Sequence, residues 1–255
     1  MSELWTHREL IRALVERNLT MRYQRSFLGA VWTLLNPLLT GLVLVAVFSV
    51  LLRVQTAQYW AFLFSGYFAW VFTLNTLGIG ATVVSNHSFI ARSVAFPADV
   101  LVVSTVISRF VEFAVEMLLV VVVLTAVLHQ GFTIGLVALP FVMVLHAVLT
   151  AGVLFPIAAL GVFFEDVQHA VPVALTMLTL ISPVYYPISN LPAHWQPIVS
   201  LNPFAGILGL YHATLYEGRL PGIAEIVTPV LSTLVVFLAG RWVFRWKQSV
   251  YAEVV

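Results

Sequence analysis

Long apolar runs alternate along this chain with short polar breaks, and the breaks divide it more clearly than any motif does. Six runs stand out, at residues 28–52, 60–84, 100–128, 136–164, 171–186 and 223–244. A helix rises about 1.5 Å per residue and a bilayer core is about 30 Å thick, so about 20 apolar residues suffice to cross it. Ahead of the first run, residues 3–24 place Leu4, Leu10, Ile11, Leu14, Val15 and Leu19 against Glu3, Arg8, Arg12, Glu16 and Arg17 with helical period. This predicts an amphipathic helix. It suits either a helix lying flat in the membrane interface or one packed on a soluble partner.

The breaks add detail. Asn36-Pro37 falls about two turns into the first run and predicts a kink there. Tyr59 and Trp60 stand where interfacial aromatics anchor the second. Residues 85–99, SNHSFIARSVAFPAD, are polar, with a lone Arg92 and with Pro97 stopping any continuous helix. Between residues 182 and 221 the chain is uncharged until Glu217 and holds Pro183, Pro187, Pro192, Pro197, Pro203 and Pro221. No piece of it reads as a full span. Irregular backbone at membrane depth is tolerated only inside protein or against a water-filled cavity, so residues 191–215 are expected to form re-entrant half-helices in the outer leaflet.

Composition makes the class definite: 61% hydrophobic and 9% charged residues cannot clothe a soluble domain of 255 residues. The fold class expected is all-α integral membrane, six transmembrane helices in a single domain over residues 1–255. Five of the twelve Lys and Arg precede Ser26, and Arg241, Arg245 and Lys247 close the chain. Positive charge gathers on the cytoplasmic side, so both termini are expected there, with Arg17, Arg22, Tyr23 and Arg25 anchoring the first join. Arg53 and Arg219 then fall outside. Glu3, Glu9 and Glu16 interrupt the first 25 residues, which do not read as a cleavable signal peptide. With no cysteine, disulfides, thiolate metal sites and cysteine nucleophiles are excluded.

Catalytic chemistry has little to rest on. The one lysine, Lys247, follows Trp246 and not the glycine of a phosphate-binding loop. HExxH, GxSxG and GxGxxG are absent, and the seven histidines are scattered, so no cofactor or metal is expected in this chain. His146 reads as a hydrogen-bonded bundle residue. Arg109, Glu112 and Glu116 share one face of the third run, where ionisable groups normally face a bundle interior or a cavity. They suit a polar lining or a proton relay. Equally, Arg109 and Glu112 pair within the helix while Glu116 bonds a neighbour. Trp60, Phe64, Tyr67, Phe68 and Trp70 offer faces for sugar rings, or a lipid-facing belt. With Asn75, Tyr185 and Tyr186 they complete the candidate path.

The segments RYQRSFLGAVWTLLNPLL, NHSFIARSVAFPADVL, FFEDV, SPVYYPIS with LNPF, and the ending FRWKQSVYAEVV together resemble the permease subunits of ABC-2 type exporters of O-antigen, capsule and teichoic acid polysaccharides. The resemblance covers nearly the whole chain. It implies a homodimer docked on two separate ATP-binding cassette subunits, which carry the ATP and Mg, in the bacterial cytoplasmic (inner) membrane. It further implies a lipid-linked glycan as cargo and no nucleic-acid partner. Asn86, His87, Ser88, Phe89, Ile90, Ala91 and Arg92 then correspond to the coupling helix that enters the ATPase, and the amphipathic start to an interface helix beside it. Glu165 stands where the family's turn carries a base, and Ala91-Arg92 where two basic residues are common. Rival readings are an ABC-2 exporter of drugs or lipids, an ion-coupled secondary transporter built on Arg109, Glu112 and Glu116, and an integral-membrane transferase.

Overall fold

The computed structural model describes residues 5–23, 29, 31–87, 98–128 and 133–246, and among these the chain is helical without a strand. Helix α1 is Arg8–Tyr23, and α2 runs from Val31 to Leu51, its last turn widening to a π-helix over Val47–Leu51. Helix α3 is Tyr59–Leu77, α4 Asp99–Leu128, α5 Leu139–Phe163 and α6 Val167–Ile181. Two short helices, α7 (Gln196–Ser200) and α8 (Pro203–Tyr211), precede α9 (Ile223–Trp246).

Helix α3 is the axis of the bundle. It packs against α2, α4, α5 and α8, and its Phe68, Trp70 and Leu77 are wholly enclosed. The opposite holds for α2, where only Pro37 and Gly41 are buried. Its exposed Leu42, Val43 and Val50, like Leu118 of α4 and Leu238 of α9, present aliphatic flanks suited to lipid. Helix α5 meets α9 so closely that a Cβ on Gly152 would stand 2.7 Å from the Phe237 backbone, and one on Gly240 would strike the Gly152 carbonyl. Only glycine permits that approach of two backbones.

One end of the bundle gathers the α2–α3 link, the start of α5 and the segment before α9. Tyr216 donates to the Ala57 carbonyl at 2.6 Å, Tyr59 to the Tyr185 carbonyl at 2.8 Å, and Gly135 N–H to the Gly218 carbonyl at 3.3 Å. There Arg219 sits between Glu225 and Glu217, whose carboxylates hold its guanidinium further toward the charged form. The other end gathers residues 78–87, the start of α4, the α5–α6 turn and the end of α9.

Among the described residues five helices are long and apolar enough to cross a membrane: Val31–Leu51, Tyr59–Thr82 with its terminal 3₁₀ turn, Asp99–Val127, Leu139–Phe163 and Ile223–Trp246. The fifth expected run departs from expectation. Its helix starts at Val167, four residues before the apolar run, and stops at Ile181 rather than 186. Ser182 precedes Pro183, and the clash of a proline ring with the preceding residue drives Ser182 to an extended ψ of 142°. The 15 residues that remain rise about 22 Å, short of a full crossing. The second run matches Tyr59–Thr82, in which α3 closes at Leu77 and residues 80–82 add a 3₁₀ turn, with a further turn at 85–87.

In the proline-rich stretch, Asn202 caps α8 by accepting the Phe204 N–H at 3.1 Å, and Pro203 occupies the first turn, where its missing N–H costs nothing. The Asn202 amide also donates to Ser182 Oγ at 2.8 Å, tying α8 to the end of α6. Helix α8 then buries Phe204, Ile207, Leu208 and Tyr211 against α3, α5 and α9.

Candidate functional site

The site is built where α1 docks on α4. The apolar edge of α1 places Leu14 in the core, with Leu10 and Ile11 packed beside it. Two polar contacts hold the helix along α4: Asn18 donates to Ser108 Oγ at 3.3 Å, and Arg22 pairs with Glu112. The helix therefore takes its amphipathic pattern from a seat on its own bundle. Its opposite face is solvated, with Arg12 and Glu16 paired one turn apart at 3.0 Å.

Glu112 is the hub. Its Oε2 accepts from Arg22 Nη1 and, at 3.2 Å, from Arg109 Nη1 one turn back on α4. Arg109 and Glu112 side chains are 9% and 10% exposed and that of Arg22 is 35%, so water screens the Arg109–Glu112 pair weakly but reaches Arg22. Both open readings of the charged triplet contain part of this. The Arg109–Glu112 pair forms within the helix, and a third partner from α1 joins it. Glu116, one turn further on, is buried, and no hydrogen bond joins it to any described residue.

Two cavities meet at this cluster. The first, about 460 Å³, lies between α1, α2, α3 and α4, with Asn36, Tyr67, Asn75, Arg22 and Arg109 in its wall. The second, about 430 Å³, is bounded by Arg17, Asn18, Arg22, Asn86, Arg109 and Glu112. Arg22 and Arg109 belong to both. Pro37 also lines the first cavity, on the one buried edge of α2.

Of the residues singled out by sequence, Arg17, Arg22, Tyr67, Asn75, Asn86, Arg109 and Glu112 come together around these cavities. Phe68 and Trp70 do not; they fill the interior of α3, and the Trp70 indole N–H donates to Thr179 of α6 at 2.9 Å. Phe64 is buried in a T-shaped contact with Phe68, and Trp60 edges onto Phe64. Tyr185 stacks on Phe48 and Tyr186 donates to the Ile181 carbonyl, both at the far end of the bundle. Arg25, Ser88, Phe89, Ile90, Ala91 and Arg92 lie outside the described residues, as do the side chains of Tyr23 and His87.

His146 is hydrogen-bonded inside the bundle, its Nε2 2.8 Å from Thr73 Oγ1 and its Nδ1 3.4 Å from the Tyr211 hydroxyl. His212, which sequence reasoning passed over, stacks on Phe62 at 4.1 Å and meets Ser65 Oγ at 2.9 Å. Among the described residues no three His, Asp or Glu side chains converge as a metal site would need.

A second cluster was missed from sequence. Asp99, the first residue of α4, is fully buried, and its Oδ2 accepts from Arg241 Nε at 3.1 Å and Arg245 Nε at 2.9 Å. Arg241 and Arg245 stand four apart on the last turns of α9, which is the signal visible in sequence. Their partner, 142 and 146 residues away, is not.

The profile of the ABC-2 type transporter family matches residues 9–216. Over 253 residues, 98% of this chain and 97% of the relative, the sequence is 32% identical to an O-antigen export system permease protein of Myxococcus xanthus. Two O-antigen export system permease proteins of Klebsiella pneumoniae are 24% and 22% identical, each over 247 residues, 96% of this chain and 95% of the relative.

Proposed function

This chain belongs to the ABC-2 type transporter family, and from that premise we propose that it is the membrane-spanning permease subunit of an ATP-driven exporter that moves a lipid-linked polysaccharide of the O-antigen class across the bacterial inner membrane. The observation that carries this reading is the end-to-end likeness to O-antigen export permeases, 32% over 98% of the chain in the Myxococcus xanthus relative. A partner of the ATP-binding cassette type supplies ATP and Mg, since this chain has no phosphate-binding loop of its own. Two copies of the chain pair with two such partners, with both termini in the cytoplasm.

In this reading α1 is the interface helix, residues 85–99 the coupling loop with residues 86–92 entering the ATPase, and α7 with α8 the re-entrant pair on the outer side. The wall of the second cavity supports the coupling role: it joins Asn86, where the coupling stretch begins, to Arg17 and Arg22 of α1. A push on either element is then felt by the other through Arg22 and Glu112. Closure of the ATPase pair presses on residues 86–92, the first and fifth apolar runs separate across the dimer, and a channel opens.

Two experiments test this. Cells that lose the gene should accumulate the lipid-linked glycan inside and lose it from the surface, with restoration from a plasmid copy. An unchanged surface glycan would overturn the cargo. Reversing the charge of Arg92 should leave the protein assembled and ATP hydrolysis running while export stops; unaltered export would remove the coupling role from this stretch.

A further inference from the structure

The stretch proposed to meet the ATPase has two limbs, and both stand on the same pair of helices. On its N-terminal side residues 80–82 pack along α5, and Ala81, Val83 and Val84 are buried. The approach is backbone to backbone, since a Cβ on Gly161 of α5 would strike the Ala81 carbonyl. On its C-terminal side α4 opens with Asp99, whose Oδ2 accepts from Arg241 Nε at 3.1 Å and Arg245 Nε at 2.9 Å on the last turns of α9. Asp99 and the next three residues, Val100, Leu101 and Val102, are fully enclosed. Helix α4 packs chiefly on α1, α3 and α5, so the two arginines are what ties its start to α9. Helices α5 and α9 are themselves joined along the Gly152–Gly240 seam, and Phe155 packs on Phe237 and Phe244 with ring centroids 6.0 and 5.3 Å apart. A closed path of contacts therefore runs from residues 80–84 through α5 and α9 to Asp99. Helices α2 and α6 are held more loosely: α2 buries only Pro37 and Gly41, and α6 only Val171, Leu175 and Thr179.

We propose that Asp99 is a positioning residue for coupling: it fastens the C-terminal limb of the coupling stretch to α9, so that a push on residues 86–92 moves α5 and α9 as one body, against which α2 and α6 shift. This rests on the reading above that residues 86–92 enter the ATPase. The mechanics follow from the packing. Close-packed interiors have low compressibility and transmit strain, and the seam of bare backbones leaves no layer of side chains between α5 and α9 to yield. The Asp99 clamp closes the one part of the path where the contact is ionic. Charge-assisted bonds from two guanidiniums one turn apart are directional, so they fix how α9 is turned as well as how near it lies. With the clamp open, the start of α4 keeps only apolar contacts, which are non-directional and let one surface slide on another. A push is then absorbed as slip at the start of α4. Hydrolysis in the partner does not need the clamp, whereas movement of α9 does.

The test uses the full chain with its ATP-binding cassette partner, in cells lacking the native copy, and reads surface glycan per assembled complex beside ATP hydrolysis by the purified complex in nanodiscs. Asp99→Asn should lower export per ATP hydrolysed about tenfold, within the range of coupling between two sites, while hydrolysis continues. That variant leaves two arginines without their carboxylate, so the deciding protein combines Asp99→Asn with Arg241→Gln and Arg245→Gln, which removes the whole ionic cluster. Its thermal midpoint should return toward that of the parent while export per ATP stays low. Recovery of both together would overturn the positioning role and leave an ion pair that serves stability alone. Arg245 is partly exposed, so its variants keep the test open if the combined protein fails to assemble. Arg245→Gln should lower export per ATP several-fold, and Arg245→Lys, which keeps the charge, should lower it less; parent-like coupling in both would overturn the role. Absence of ATP-dependent export in the parent complex would instead remove the exporter reading, and export that survives charge reversal at Arg92 would remove the coupling assignment.

Discussion

Helix α4 carries two carboxylates that each receive two arginines, and they differ in what surrounds them. Asp99, at the first turn, is fully buried and clamps the end of α9 through Arg241 and Arg245. Glu112, three to four turns on, holds Arg109 of its own helix and Arg22 of α1, and both of those arginines front cavities. The same chemistry therefore serves two ends. At Asp99 the carboxylate itself is enclosed and acts as a rivet between elements far apart in sequence. At Glu112 both arginines line cavities, and the pair is a lock between α1 and α4 set beside open space. The carboxylates differ in burial, 0% exposed for Asp99 against 10% for Glu112, whereas the cations do not separate the two clusters: Arg241 and Arg245 are 18% and 39% exposed, Arg22 and Arg109 35% and 9%.

Asp99→Asn leaves two arginines facing a buried amide and should cost about 3 kcal/mol, within the range for removing one member of a buried pair; a fall in thermal midpoint and in assembled protein would register it. If Asp99→Asn and Glu112→Gln lowered the midpoint equally, the distinction between rivet and lock would be lost. Gly152→Leu should cost about 1–3 kcal/mol by forcing α9 off α5, measured the same way, because a side chain there meets the Phe237 backbone. That change also loosens the clamp on Asp99, so combining it with Asp99→Asn should give less than the sum of the two losses. Glu112→Gln should cost about 1–2 kcal/mol, less than Asp99→Asn, because it leaves Arg109 without its carboxylate while Arg22 is 35% exposed, and export should change clearly. Pro37→Ala, on the cavity edge of α2, should insert normally yet alter transport; wild-type transport would reduce Pro37 to a passive place in the wall. Smallest of all, Arg12→Gln should leave both stability and transport unchanged, because its pair with Glu16 is exposed and solvated.

Much of this was legible in the chain. The apolar runs located the long helices, the amphipathic start located α1, and the prolines foretold the broken stretch ahead of α9. Errors came where a local rule depended on neighbours. The run to Tyr186 looked continuous, but Ser182-Pro183 ended its helix at Ile181. The aromatic set of α3 was visible as a set, yet its helical positions point in several directions. Tyr67 reaches a cavity, while Phe68 and Trp70 are enclosed.

By itself, the sequence determined that this chain lives in a membrane as a helical bundle, because hydropathy and helical period are local properties written along each segment. It also placed Arg109 and Glu112 one turn apart, since that spacing is intrinsic to a helix. Tertiary structure alone decided that Arg22 would complete their cluster from 90 residues away, and that Asp99 would close on Arg241 and Arg245 across more than half the chain. Ion pairs between helices leave no periodic trace in a sequence. Their partners are chosen by which helices pack, and that follows from side-chain shape, such as the bare backbones at Gly152 and Gly240, summed over the whole bundle.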